Sequence, residues 1–275
     1  MMKQFFKSCA RIAIGMTSGH TVRVMAGPLK GRRLLRQHGL PNLSMLFGTY
    51  ESRFATAYGK RVKDGSIIYD IGANAGYFSL LAAHLHQPGG QVVAFEPVPS
   101  IVSDLRAMLI ANDLSDRVHA CQLALSDTAG RIKMYTPASA ETGVICSAVR
   151  HSDVDEDSVI DVDVTTLDHF IFSDRNPAPE VIKLDVEGAE ASVLSGARRV
   201  LKEVRPIVLA EIHGDQPAMD VWDIVVPLGY QVHLLTETGE SEISDREVWL
   251  RHFSGSKWVI QHCVLIPRTV LSAAA

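Results

Sequence analysis

The chain has 275 residues, 47% of them hydrophobic and 21% charged, a composition that suits a soluble protein with a real core and excludes long disorder or a collagen-like repeat. No run approaches the roughly 18 to 20 apolar residues of a membrane-spanning helix, and Ile12–Met16 is too short for a signal peptide, so a cytoplasmic protein, soluble or peripheral to a membrane, is expected. The formal charge of −4 hides a split: residues 1–63 hold twelve Lys/Arg against one acid, Glu51, and the remainder holds 15 basic against 30 acidic residues.

That split suggests a basic N-terminal helical extension over 1–47 and a main domain over 48–275. The extension reads either as a solvated basic face or as an arm for an anionic acceptor or membrane surface, with residues 1–63 making the contact. Its aromatics (Phe5, Phe6, Phe47, Tyr50, Phe54, Tyr58) do not interleave with the charges, which makes nucleic acid the lesser partner. Four scattered cysteines without a C-x-x-C pair argue for reduced thiols rather than disulfides or zinc.

From Ile67 the chain alternates apolar runs with helical patterns. Ile67–Ile71 reads as a buried strand, and a helix over 76–85 ends at Gln87-Pro88-Gly89-Gly90. Gln91–Phe95 is a second strand. Ile101, Leu105, Met108, Leu109 and Asn112 fall at helical spacing behind Pro97 and Pro99. Val118–Leu125 is a third strand. Residues 127–165 alternate loosely around Asp127-Thr128-Ala129-Gly130 and predict one or two hairpins inserted before the fourth strand. Within them Asp153, Asp155 and Asp157 mimic the start of a calcium loop, but Ser158 and Val164 stand where its glycine and closing Glu belong, so they read as a solvated edge.

Val181–Asp185 is strand four, and Val193, Ala197, Val200 and Val204 mark a helix stopped by Pro206. Strand five covers Ile207–Ile212, a helix covers 218–228, and a strand covers Tyr230–Leu235. Val259–Ile266 predicts a last strand, antiparallel at an edge. Alternating β and α elements with continuously apolar strands predict an α/β fold: a mainly parallel sheet with helices on both faces. In such sheets ligands sit beyond the carboxyl ends of the strands, so the residues after each strand carry the chemistry.

Strand one ends in Asp70-Ile71-Gly72-Ala73-Asn74-Ala75-Gly76. The glycines let backbone approach a ligand, and the helix start offers free N–H groups. A dinucleotide G-x-G-x-x-G would need glycine where Asn74 stands. Strand two ends in Glu96-Pro97, twenty residues past Gly76, where a carboxylate can accept both ribose hydroxyls of an adenosine. Strand three ends in Leu125-Ser126-Asp127. Strand four ends in Asp185-Val186-Glu187-Gly188-Ala189-Glu190, and strand five in Glu211-Ile212-His213-Gly214. Unpaired charge is costly in a core, so Asp185, Glu187, Glu211 and His213 read as an active-site cluster.

In order and spacing, Tyr69–Ser79, Ala94–Pro97, Ala124–Asp127 and Ile182–Glu190, with Gly48-Thr49-Tyr50-Glu51 ahead of them, resemble the FkbM-type methyltransferases over about 48–230. The resemblance implies a class I, Rossmann-like fold with a seven-stranded sheet, S-adenosylmethionine as cofactor, and methylation of a hydroxyl. By position, Asp70, Gly72, Asn74 and Gly76, with Ala73 and Phe78 in the same block, would line the methionine part. Glu96 beside Pro97 would hold the ribose; Leu125, Ser126 and Asp127 would meet the adenine; Asp185 would face the reacting centre.

A hydroxyl at neutral pH needs help to lose its proton. His213, neutral at its ordinary pKa of about 6.5, is the first candidate base, with Asp185, Glu187 and Glu211 to orient or replace it. The oxygen-rich set also suits Mg²⁺ on Asp185, Glu211 and His213, a lesser reading. The acceptor is a hydroxyl-bearing small molecule, glycan or glycolipid. Rival readings are a nicotinamide-dependent oxidoreductase, which Asn74 opposes, and a non-catalytic nucleoside-binding scaffold, which the strand-end acids oppose.

Overall fold

The computed structural model describes residues 21–35, 42–85, 89–136, 144–145, 158–254 and 259–268. Asp153, Asp155 and Asp157 lie outside them. The elements, in chain order, are β1 (Thr21–Arg23), β2 (Arg33–Leu35), α1 (Leu43–Leu46), α2 (Ser52–Gly59), β3 (Ile67–Ile71), α3 (Tyr77–Leu85), β4 (Gln91–Phe95), α4 (Pro99–Ala111), β5 (Val118–Cys121), β6 (Ala124–Leu125), β7 (Gly130–Tyr135), β8 (Val144–Ile145) and β9 (Val159–Thr165). A π-helical turn at His169–Ser173 leads to β10 (Val181–Leu184), α5 (Glu190–Ser195), α6 (Arg198–Glu203), β11 (Ile207–His213), α7 (Asp215–Val225), β12 (Tyr230–Thr236), β13 (Gly239–Ile243), α8 (Arg246–Arg251) and β14 (Ile260–Pro267).

The main sheet has eight strands in the order β13-β12-β14-β11-β10-β3-β4-β5, and β11, β10, β3, β4 and β5 pair in parallel. Alternate residues of each strand face opposite sides. Ile68, Val92, Ala94, Val181 and Leu209 pack under α2, α3 and α4, while Tyr69, Ile71, Phe95, Ile182 and Leu184 pack under α5, α6 and α7. Cover on both faces is why the strands read as unbroken apolar runs.

Four expectations are corrected. β14 lies between β11 and β12, not at an edge; Cys263, Val264 and Leu265 are fully buried and need a strand on each side. The eighth strand, β13, is polar and exposed and is recruited by a tight turn in which Thr236 Oγ1 donates to Gly239 O at 2.8 Å. The third predicted strand splits: a turn closed by Leu123 N–H to Cys121 O lets β5 stay in the main sheet and sends β6 to a second sheet, β6-β9-β7-β8. The predicted helix after strand four breaks into α5 and α6 at Gly196, where a Cβ would come within 2.0 Å of the Ser126 carbonyl oxygen.

Only residues 21–35 and 42–47 of the expected helical extension over 1–47 are described, and they hold the short helix α1 beside a hairpin. Among its described residues β1 and β2 form an antiparallel hairpin. Val22, Val24, Leu29, Leu34 and Leu46 bury into the same cluster as Leu80 and Leu105, so this part is packed onto the body. No helix among the described residues is long and apolar enough to cross a membrane.

Candidate active site

Strand register builds the site. Ile71 pairs with Phe95 on one side and with Leu184 on the other; Leu184 pairs with Ala210, and Ala210 with Cys263. The next residue outward on each strand therefore falls in one row at the carboxyl edge: Glu96, Gly72, Asp185, Glu211 and His262. The N–H groups of Gly72 and Ala73 both donate to Phe95 O, at 3.0 and 2.9 Å, and Asp185 N–H donates to Ile71 O at 3.1 Å.

A cleft opens on this row. Of the expected cofactor residues, Gly72, Asn74, Glu96, Pro97, Leu125 and Asp185 line it, joined by Glu187. Leu123, Ala124, Met134 and Phe95 add an apolar wall. Met134 comes from the second sheet, and no local sequence signal marks it. Glu96 is 6% exposed. Its Oε2 accepts from Asn74 N–H at 3.1 Å and its Oε1 from Val98 N–H at 2.9 Å, so one carboxylate ties two strand-end loops. Burial raises its pKa to about 6, against the pull of those N–H groups and of Lys183.

The remaining expected cofactor residues do not line the cleft, for identifiable reasons. Asp70 is fully buried behind the glycine turn; its Oδ2 accepts from Ser79 Oγ, and its Oδ1 lies 3.4 Å from Lys183 Nζ. Ala73 is buried in the core under α3. A Cβ on Gly76 would press on Leu105 and Met108, so Gly76 faces α4. Phe78 packs edge-on against Phe54, Tyr58 and Tyr77. Ser126 turns its hydroxyl to its own neighbour, donating to Asp127 Oδ1 at 3.2 Å, and Asp127 is exposed.

Sequence reading missed Lys183. It is 3% exposed, donates to Gly72 O at 2.7 Å, and stands 3.3 Å from Asp185 Oδ2. Burial alone would lower its pKa; the charges of Asp185 and Asp70 outweigh that and hold it charged. Lys183 thereby fixes Asp185, whose own pKa burial raises in spite of the ammonium.

Beyond Asp185 the ring of His213 is a hub. Its Nδ1 lies 2.8 Å from Glu190 Oε1, and its Nε2 lies 3.3 Å from Glu211 Oε1, 3.5 Å from Glu187 Oε2 and 4.0 Å from Asp185 Oδ1. Burial lowers its pKa, but the hydrogen bonds to Glu190 and Glu211 and the surrounding charge outweigh this and push it up to about 11. The carboxylates around it favour the protonated ring, which runs against the expectation of a neutral His213 acting as base. Glu211 is the counterpart: burial raises it, but hydrogen bonds from His213 and His262 bring it down to about 2. Burial raises Glu187 instead.

A ring near 6.5 in the unfolded chain and about 11 when folded contributes stability in full below about pH 6.5, then loses it as pH rises toward 11. Urea midpoints of the wild type are expected to fall between pH 7 and 9, and His213→Gln to flatten that fall. Equal slopes in both proteins would refute the charged ring.

The row continues to Glu51 and His262, neither of which was picked out as a site residue. Glu211 Oε2 lies 2.7 Å from His262 Nε2, which lies 3.9 Å from Glu51 Oε2. Glu51 begins α2 in the left-handed region, φ 40. Asp185, Glu211 and His213 do bring ligand-type atoms within 4.8 Å of one another, as do Glu51, Glu211 and His262.

Comparison with known proteins bears on this site. The family model described as "Methyltransferase FkbM domain" matches residues 70–240. The chain is 28% identical over 224 residues to the 31-O-demethyl-FK506 methyltransferase FkbM of Streptomyces tacrolimicus, covering 72% of this chain and 81% of that one. It is 28% identical over 166 residues to the hexuronic acid methyltransferase AglP of Haloferax volcanii, covering 59% and 62%. It is also 28% identical over 155 residues to the 2-O-methyltransferase NoeI of Sinorhizobium fredii, covering 52% and 62%.

Proposed function

The chain belongs to the FkbM methyltransferase family, and from that premise we propose that it moves the methyl group of S-adenosylmethionine to a hydroxyl of a sugar or another polyhydroxylated acceptor. The observation that carries the reading is the junction of two unlike halves. A cleft with one buried carboxylate and an apolar wall runs directly into the set Asp185, Glu187, Glu211 and His213. Two of the relatives carry sugar or hydroxyl methylation in their names, which supports an oxygen acceptor of that kind.

The residues fit the cofactor. Among the described residues each oxygen of Glu96 accepts one backbone N–H, which leaves lone pairs for ribose hydroxyls. Leu123, Leu125 and Met134 suit the flat face of an adenine. Asp185 and Glu187 put negative charge where a sulfonium would lie. When bound, the cofactor supplies a methyl group already activated on a positive sulfur. The chain's own part is to align an acceptor hydroxyl and receive its proton.

Asp185 is the acceptor of that proton in this reading. It lines the cleft, Lys183 fixes its orientation, and burial lifts its pKa toward the working range of a base. His213, an imidazolium, gathers Glu187 and Glu211 around it. The acceptor oxygen gains the methyl as its O–H bond is given up to Asp185, and the carboxyl then returns the proton to solvent.

Glu96→Ala tests the donor half. Losing one hydrogen bond to a charged acceptor costs about 1.5–3 kcal/mol, so calorimetry is expected to show donor affinity reduced by at least about 10- to 100-fold. Undiminished affinity would remove the ribose assignment. Tighter binding of a nicotinamide dinucleotide by the wild type would favour the oxidoreductase instead.

A further inference from the structure

Glu190 takes no part in the reaction just described, yet none of its surface is exposed. Its Oε1 accepts from Gly188 N–H at 2.9 Å and meets His213 Nδ1 at 2.8 Å, while its Oε2 has no hydrogen-bond partner among the described residues. A carboxylate is a costly filler for a fully buried position. One oxygen here ties two separate elements: the end of β11, through the His213 ring, and the loop between β10 and α5, through Gly188. That loop carries Glu187 with φ 53 and Gly188 with φ 100, conformations that L residues seldom hold without support.

We propose that Glu190 is a positioning residue for the acceptor half of the site: it holds the His213 ring with Nδ1–H toward the core, so that Nε2–H points at Asp185, Glu187 and Glu211. The inference rests on the methyl-transfer reading for what the cluster does, but not for the tie itself. Three carboxylates converge on one ring nitrogen within 4.0 Å. With the ring turned or neutral, they would repel one another and the Glu187 loop would lose its anchor. Glu190 does not line the cleft, so donor binding does not depend on it directly.

The test is nitrogen and proton NMR of the His213 ring in labelled full-length protein, wild type and Glu190→Gln, at pH 7.5. The wild type is expected to show a doubly protonated ring with a strongly downfield Nδ1 proton. Glu190→Gln, which keeps size but weakens the bond to Nδ1–H, is expected to lose the strongly downfield Nδ1 proton and to exchange the Gly188 amide faster, whether or not the carboxylates around Nε2 keep the ring charged. An unchanged downfield Nδ1 proton with unchanged Gly188 exchange in a folded Glu190→Gln protein overturns the proposal. If that variant does not fold, the wild-type spectrum decides: a downfield Nδ1 proton supports the tie, and its absence overturns it. Titration of the wild type with S-adenosylmethionine reports on the methyl-transfer reading separately; no binding there sinks that reading while the ring spectrum still judges Glu190.

Discussion

Asp185→Asn is expected to cut methyl transfer by about 10²- to 10⁴-fold, the range of a single positioned acid–base group, which is about 3–5 kcal/mol of barrier. Asparagine matches the carboxylate in size, so the cleft keeps its shape. It cannot take the acceptor's proton. Lys183 keeps its bond to Gly72 O and its approach to Asp70, so the buried ammonium is not stranded and the fold survives. Donor affinity is expected to fall by a smaller factor than turnover, because one of the two carboxylates facing the sulfonium loses its charge while the tie of Glu96 to Asn74 and Val98 is untouched. Labelled donor incubated with a cell extract measures the transfer, and calorimetry measures the donor. Full turnover by the variant with donor bound would remove Asp185 from the reaction.

The second large effect is on stability. Gly72→Ala is expected to cost about 2–5 kcal/mol, from roughly 1–2 for a left-handed backbone and about 1–3 for overpacking. Gly72 has φ +74, and a Cβ there would lie 1.7 Å from the Asp185 carbonyl oxygen. The obstacle is backbone, so relief requires β3 and β10 to part at the point where the site is assembled. Gly188→Ala is the control. Its φ is +100 but nothing lies within 4 Å of the added carbon, so only the backbone cost of about 1–2 kcal/mol remains. Urea denaturation of the two variants separates the effects; similar losses in both would show that the contact at Gly72 is not the cause.

The row of strand-end residues shows where sequence reading reaches and where it stops. Glu96, Asp185 and Glu211 follow largely apolar runs of four or five residues, so their place at one edge is readable once the strands are taken as parallel. His262 occupies the same row but escapes that logic. It sits near the start of a strand, and only because β14 runs antiparallel between β11 and β12 does a strand's beginning meet the others' ends. Lys183 was hidden for a related reason: a lysine inside an apolar strand gives no sign of which carboxylates will face it across the neighbouring strand.

Charge states divide the same way. The type of a titratable residue is written in the sequence; its proton is not. The approach of Asp185, Glu187 and Glu190 from the segment after β10, and of Glu211 from β11 itself, pushes the pKa of His213 up to about 11. Asp70, Gly76 and Phe78 belong to the same short block as Gly72 and Asn74, but α3 and α4 claim them for packing and leave two residues of the turn facing the cleft.

By itself the sequence determined the alternation of strands and helices, the sheet covered on both faces, and the strand ends at which chemistry collects, because periodicity and turn residues act over a few neighbours. The tertiary structure alone decided which of those residues share a cleft, that β14 enters the middle of the sheet, and which groups keep their protons, because register and electrostatics couple residues more than a hundred positions apart, as Lys183 and Gly72 are.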